Sequence, residues 1–293
     1  MLFTMNILKL LADLAATPTD FHQAASRRAT IASLGKVGAK TLAAALPLGL
    51  AALPAQARDT RTILDSLQLA TRLEQLQNAL YSRALTAGPG FFPADASFRS
   101  SIVKMQAHQQ QHVALLTRVI TTSNGDVPTL PNYDFTGSKN NTQAALFPNV
   151  FSNFDEFLRL AQLLEDTSVR AYKGAVEFLV QDNYILQTAL QLHSTEARHA
   201  ARIRTMRRLR GAVVKPWPSP TDADITVAGK TAVVYATEHA TTQLLPAPIN
   251  TPIQFQLLPI GSGANLLTQS VPEAFDEPLA AADVEALLGL FTY

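Results

Sequence analysis

Two apolar stretches of the sequence carry polar residues at the same three-residue spacing. In "MQAHQQQHVALL" Gln109 precedes His112, and in "LQLHSTEARHAARI" Glu196 precedes His199. Residues three apart lie on one face of a helix, so a carboxylate or amide oxygen and an imidazole nitrogen can point at the same place. The surrounding residues are apolar at helical spacing, which predicts that both pairs are buried.

Two further glutamates occupy matching places on two other predicted helices. Glu74 and Glu165 are each followed seven residues later by a tyrosine, Tyr81 and Tyr172. The two helix pairs therefore repeat one pattern and predict an internally duplicated bundle, with all polar midpoints at one level. We interpret the tyrosines as core aromatics that hydrogen-bond to the glutamates rather than as redox centres.

Burial of three glutamates requires compensation of their charge. Without partners each would cost several kcal/mol, so they must be protonated, hydrogen-bonded or neutralised by cations. Two divalent metal ions would neutralise them. The chain has no cysteine, so the ligands would be His and carboxylate groups, a mixture that favours iron or manganese over magnesium. The alternative is a metal-free polar layer in which Glu196 and His199 hydrogen-bond to Gln109 and His112 across the bundle.

The elements that must position these residues are four long helices. Their predicted limits are 59–87, 95–121, 153–180 and 183–210. The breaker-rich "GPGFFP" separates the first two, and Asp182 is predicted to cap the fourth. The segment of about thirty residues between the second and third helices exceeds a hairpin and predicts a crossover along the bundle. The predicted fold class is all-α, with the four-helix bundle at 58–211.

Residues 212–293 are proline-rich and predict an extension packed on the bundle, with little regular structure. Within it, "TAVVYA" and "PIQFQLLPI" predict short strands or extended cover. The stretch "PLAAADVEALLGLFTY", which contains Asp283, predicts a short amphipathic terminal helix that docks onto the bundle. Its apolar face comprises Val284, Leu287, Leu288 and Phe291. The basic "RIRTMRRLR" at 202–210 is interpreted as a solvated helix end, and the adjacent Glu238 and His239 share no face, which predicts no site there.

Residues 1–57 predict a cleaved export leader. Arg27 and Arg28 precede a basic spacer and a short apolar run that ends in "AQA", with cleavage expected after Ala57. The run is shorter than the roughly 20 residues of a membrane helix, so no permanent membrane span is predicted. "SRRATI" resembles the twin-arginine export signal, the alternative being an ordinary secretory leader. Both predict a periplasmic or otherwise exported protein.

Bulk composition excludes some partners and activities. The net charge of +1 at pH 7 provides no field that would attract nucleic acid. No Ser-His-acid grouping or nucleophile elbow is recognisable, which argues against nucleophilic hydrolysis. The expected partners are metal ions, and homo-oligomer formation is left open.

The chain resembles the ferritin-like superfamily, and more narrowly the exported ferritin-like proteins labelled desiccation-related. The matching stretches are "LEQLQNALYSRAL", "LLEDTSVRAYKGAVEFL", "TEARHAARIR" and "EAFDEPL". The resemblance implies a ferritin-like four-helix bundle with a di-iron or di-manganese carboxylate site.

By position, the resemblance implies that Glu74 and His112 hold one metal, Glu165 and His199 the other, and that Glu196 bridges them. The family's second bridging carboxylate belongs at the position of Gln109.

Gln109 departs from the family pattern because its amide is neutral and a poorer metal ligand. Three carboxylates then face two divalent ions, one negative charge fewer than balances them. His108, one helical turn before His112, is either a partial substitute for the missing carboxylate or a surface histidine beside the buried face of the helix, the seam.

Two functions follow from this pattern. The first is a di-metal oxidoreductase or ferroxidase-like protein that reacts with oxygen or peroxide. The alternative is a metal-free or weakly metal-binding structural protein that acts in envelope stress or desiccation tolerance through protein contacts, a reading that Gln109 favours. An iron-storage cage is disfavoured by the long crossover and tail.

Overall fold

The computed structural model describes residues 61–242 and 270–293, and across these parts the protein is all-helical. The four long helices are α1 (Ile63–Leu85), α2 (Ala96–Thr122), α3 (Phe154–Leu179) and α4 (Asn183–Leu209). A 3₁₀ turn (Ala232–Tyr235), α5 (Val271–Ala274) and α6 (Ala281–Phe291) follow. The predicted all-α bundle is confirmed. None of the helices in the described parts is both long and apolar enough to cross a bilayer.

The predicted leader at 1–57 and the stretch "PIQFQLLPI" lie outside the described residues. All the described residues belong to one compact unit.

Polar side chains cap the N-terminus of each long helix. Thr62 and Asp65 form a reciprocal capping box at α1, while Asp95 and Asn153 accept first-turn backbone N–H groups at α2 and α3. Asp182 accepts the amides at the start of α4, as predicted. Such caps satisfy backbone donors that the helix leaves without partners. They also fix where each short connection ends.

Short connections pair the helices. The links at 86–95 and 180–182 place α2 along α1 and α4 along α3, and α1 also packs against α3.

The core contains fully buried leucines such as Leu76 and Leu80. An aromatic cluster lies at one end, where the Phe91 and Phe154 rings meet edge to face with centroids 5.5 Å apart. Each fully buried large apolar side chain contributes about 1.5–3 kcal/mol.

The long crossover at 123–153 is tied to the C-terminus. The amide of Asp134 donates to the carbonyl of Phe291 at 2.9 Å, and the amide of Tyr293 donates to the carbonyl of Asn132 at 3.2 Å. The terminal helix α6 buries the apolar face predicted from its spacing. The buried residues are Val284, Leu287, Leu288 and Phe291. The stretch "TAVVYA" forms the 3₁₀ turn instead of a strand and inserts Val234 into the core.

Helix α3 is buried on two sides, and residues 160–172 are all buried. One side faces the other helices. On the opposite side the C-terminal extension covers it, with Arg170 donating to the Glu277 carbonyl at 2.8 Å and to Thr237 Oγ1 at 2.5 Å. The backbone of the extension passes close to α3 at Gly174, where a Cβ atom would lie 2.3 Å from the carbonyl oxygen of Leu279.

The interpretation of 202–210 as a solvated basic end is wrong for two arginines. Arg204 is 1% exposed, with Nη2 2.5 Å from Asp166 Oδ2 and Nη1 2.6 Å from Asp222 Oδ2. The buried Arg207 donates to Gln162 Oε1 at 2.6 Å. The physical reason is that the C-terminal extension folds over this end of the bundle and supplies Asp222. Buried charges need such partners.

Candidate metal centre

The six residues predicted from the sequence meet at one level in the middle of the bundle. All are buried, with exposures between 0% and 8%. They are Glu74 on α1, Gln109 and His112 on α2, Glu165 on α3, and Glu196 and His199 on α4.

One half of the cluster is centred on His112. Its Nδ1 atom lies 3.2 Å from Glu74 Oε2, 2.9 Å from Glu196 Oε1 and 3.1 Å from Gln109 Oε1. A single N–H can be directed well at only one of these three oxygens. The other contacts bring a nitrogen and acceptor oxygens together without a hydrogen between them.

The other half is centred on His199. Its Nδ1 atom lies 3.7 Å from Glu165 Oε2 and 3.5 Å from Glu196 Oε2, which is too long for a hydrogen bond of normal strength. Glu165 Oε2, Glu196 Oε1 and His199 Nδ1 are all buried without a hydrogen-bond partner. Glu196 Oε1 therefore lies close to His112 Nδ1 but is not aligned to accept a hydrogen bond from it.

Two tyrosines hold the outer glutamates from the opposite helix. Tyr172 on α3 donates to Glu74 Oε1 at 2.6 Å, and Tyr81 on α1 donates to Glu165 Oε1. The predicted hydrogen bonds between tyrosines and glutamates are confirmed. Each bond engages one carboxylate oxygen and leaves Oε2 directed toward a histidine.

A family model described as a ferritin-like domain matches residues 62–208, from the cap of α1 to the last turn of α4. The chain belongs to the ferritin-like family. No curated protein matches the sequence. The matched region of this ferritin-like chain contains all six residues of the cluster.

The donor set of the ferritin-like bundle fits a pair of metal ions. Two groups of donors have ligand atoms within 4.8 Å of one another: Glu74, His112 and Glu196 in one, and Glu165, Glu196 and His199 in the other. Glu196 belongs to both. Buried atoms without partners are the atoms that a cation would satisfy, and mixed carboxylate and imidazole ligands suit iron or manganese.

The pKa values of the buried carboxylates and imidazoles in the ferritin-like bundle are shifted by burial and by one another. Burial, followed by the charge of Glu196, raises the pKa of Glu74 to about 7 and that of Glu165 to about 8. Burial opposes protonation of His112 and His199, yet contact with the glutamates raises the pKa of these residues to about 9 and about 10.

Burial would also raise the pKa of Glu196, but the proximity of the two histidine side chains outweighs burial and lowers it. The cluster thus retains protons near neutral pH, and a bound cation would displace them.

Gln109 has a close polar contact at each end of its amide despite its departure from the ferritin-like pattern. Its Nε2 atom donates to Glu196 Oε2 at 3.1 Å, and its Oε1 atom lies 3.1 Å from His112 Nδ1. The amide therefore ties the shared carboxylate to one half of the cluster. It contributes no charge.

His108 lies outside both donor groups. Its Nδ1 atom is 2.9 Å from Nε2 of His199, the nitrogen that faces away from the carboxylates. His108 therefore contacts the rear of a candidate ligand instead of replacing the missing carboxylate. The sequence signal was the four-residue spacing of His108 and His112, which places both on one side of α2.

Proposed function

We propose that this ferritin-like protein binds two divalent transition ions, iron or manganese, and acts as an oxidoreductase of the ferroxidase type. Glu74 and His112 would hold one ion, Glu165 and His199 the other, with Glu196 shared. The observation that carries the proposal is the convergence of three unpartnered buried atoms: Glu165 Oε2, Glu196 Oε1 and His199 Nδ1. Leaving such groups without partners would cost about 1–3 kcal/mol each.

Bound iron or manganese supplies one-electron chemistry with oxygen or peroxide. The chain itself supplies a buried position for that chemistry. Glu196 holds the two donor groups together, and Tyr81 and Tyr172 orient the outer carboxylates through Oε1. Burial of all the donors limits access of bulk water, which strengthens their attraction for a cation.

We further propose that the protein works outside the cytoplasm, as a member of the exported, desiccation-related branch of the family. The paired Arg27 and Arg28, the short apolar run and the "AQA" end support this location. N-terminal sequencing of protein recovered from the periplasm should give a mature start at Arg58. Replacement of both arginines by lysine should retain a twin-arginine precursor in the cytoplasm, whereas unchanged export would indicate an ordinary secretory leader.

A second candidate function is a metal-free structural protein in envelope stress. The contacts of Gln109 favour it, because the amide lies between Glu196 and His112 and reaches both without any ion. Protons on the histidines would then balance the carboxylates, and the protein would act through contacts with other proteins.

Metal content separates these functions. The mature chain, residues 58–293, should be purified without chelator from the exported fraction and assayed by elemental mass spectrometry. About two iron or manganese ions per chain are expected, the number a complete bundle site holds. Glu196→Ala should lose them, and Glu177→Ala, which removes an exposed carboxylate of α3, should not. A native chain without stoichiometric metal would overturn the oxidoreductase proposal in favour of the structural one.

A further inference from the structure

The imidazoles of His108 and His199 form an in-line pair at the edge of the metal centre. Their rings are within 10° of parallel, with centroids 5.2 Å apart and the facing nitrogens 2.9 Å apart. A five-membered ring with bonds of about 1.33 Å has a radius of about 1.1 Å. Two such radii and the 2.9 Å nitrogen separation account for the whole centroid distance, so the rings lie edge to edge in one plane. This is the geometry of an N–H···N hydrogen bond, not of stacked rings.

The direction of this hydrogen bond follows from the other nitrogen of His199. Nδ1 of His199 is buried, has no hydrogen-bond partner and faces Glu165 Oε2 and Glu196 Oε2 at 3.7 and 3.5 Å. A proton on Nε2 is the one that finds an acceptor, Nδ1 of His108. With Nε2 protonated, Nδ1 of His199 is the nitrogen whose proton a cation between the carboxylates would displace.

We propose that His108 is a positioning residue, which fixes the ring orientation and tautomer of His199 and makes the Glu165–Glu196–His199 group the tighter of the two metal positions. This inference rests on the proposed metal-binding function. A ligating histidine generally donates its second N–H to a nearby acceptor, and loss of that acceptor weakens metal binding by about 10- to 100-fold.

The internal repeat shows why only one half receives this support. Thr195 stands four residues before His199, as His108 stands four residues before His112. The hydroxyl of Thr195 donates to the Gln191 carbonyl of its own helix at 3.0 Å. It accepts from Arg198 at 2.9 Å. The two halves are thus chemically unequal, because one has the added imidazole and the other has the neutral amide of Gln109.

The experiment compares three variants with the native mature chain. His108→Leu removes the acceptor, His108→Asn keeps an acceptor oxygen close to the position of Nδ1, and Thr195→Val is the matched control at the repeated position. Co²⁺ is titrated into each metal-free protein, and its visible absorption bands are followed. The native chain should bind in two unequal steps. The tighter step should weaken about 10- to 100-fold in His108→Leu, recover in His108→Asn and stay unchanged in Thr195→Val.

A second readout is independent of metal. In ¹⁵N-labelled, metal-free protein, scalar coupling between Nε2 of His199 and Nδ1 of His108 reports the hydrogen bond itself and should be present. Its absence overturns the inference. So does Co²⁺ binding in His108→Leu that equals the native binding, or a loss in His108→Leu that His108→Asn does not restore. A native chain that binds no Co²⁺ overturns the proposed function, and the inference with it.

Discussion

Gln109→Glu tests the geometry of the cluster because it places a fourth carboxylate against Glu196. In the native chain the Gln109 amide donates to Glu196 Oε2 at 3.1 Å. In the variant two carboxylate oxygens face each other at this distance. Two full charges so placed repel by about 5 kcal/mol at an effective dielectric constant of about 20. Uptake of a proton by the pair relieves part of this repulsion. Without metal, the free energy of unfolding of the variant should therefore be about 1–3 kcal/mol lower than that of the native chain at mildly acidic pH. The difference should grow as the pH rises.

Metal should reverse the sign of this effect. Four carboxylates balance two divalent ions, and a carboxylate can bridge them with charge where an amide cannot. Each tenfold gain in affinity adds about 1.4 kcal/mol to the stability of the loaded protein. The variant should therefore melt below the native chain in chelator and above it with saturating Mn²⁺.

The assay is thermal unfolding followed by circular dichroism, in chelator and in Mn²⁺, together with a metal titration at equilibrium. Gln109→Met is the matched control, since it is similar in length, uncharged and without the hydrogen bond. It should lose stability in chelator and gain nothing from metal. If Gln109→Glu behaves like Gln109→Met under both conditions, position 109 does not face Glu196, and the deduced convergence of the four helices is wrong.

Three further perturbations have expected outcomes. Glu196→Ala removes the carboxylate shared by both donor groups, so bound metal and the stabilisation by metal should disappear together in elemental analysis and melting curves; retained metal would contradict the shared role. Gly174→Ala places a Cβ atom 2.3 Å from the Leu279 carbonyl and should cost about 1–3 kcal/mol in denaturant unfolding, whereas Gly289→Ala, with no neighbouring atom within 4 Å, should not destabilise. Folding raises the pKa of Glu165 to about 8, so the protonated side chain contributes to the free energy of unfolding. This contribution is complete below the ordinary carboxylate pKa and is lost as the pH rises through 8. The metal-free chain should thus be less stable at pH 8.5 than at pH 5.5, and Glu165→Gln should reduce the difference; stability that rises with pH would refute this assignment.

The bundle and the cluster could be predicted because local rules determine them. A seam at three- and four-residue steps fixes which side of each helix is buried, and short links force neighbours to pack. Glu165 and His199 therefore meet although 34 positions separate them in the sequence. Cap residues such as Asp182 could be predicted for the same reason, since a cap satisfies the first turn of its own helix.

The environment of Arg204 could not be predicted in this way. Its partners include Asp222, which follows α4 in a proline-rich segment without helical or strand periodicity. On α3, Gln162, Asp166 and Arg170 recur every four residues on the side away from the seam, a pattern typical of a solvated face. Spacing alone does not distinguish a face covered by water from one covered by an irregular polar segment. The interaction of His108 was missed for a related reason, because it lies beside the seam and its partner is on another helix.

The two polar faces of α3 link the C-terminal extension to the candidate metal centre. Glu165 points into the bundle, while its neighbour Asp166 binds Arg204 on the outside at 2.5 Å. One turn further on, Arg170 donates to carbonyl groups of the extension, and Tyr172 donates to Glu74 in the interior. A ligand cluster requires its supporting side chains to be held within about 0.5 Å. Because α3 is a single rigid element, contacts on its outer face restrict its rotation and sliding, and they thereby restrict Glu165 and Tyr172. Arg170 of α3 also forms a buried ion pair with Glu238 of the extension, with Nε and Oε2 2.9 Å apart. Removing one member of such a pair costs about 3–5 kcal/mol, so the extension resists displacement from α3. The described part of the extension therefore stabilises the positions of the donors through its contacts with α3.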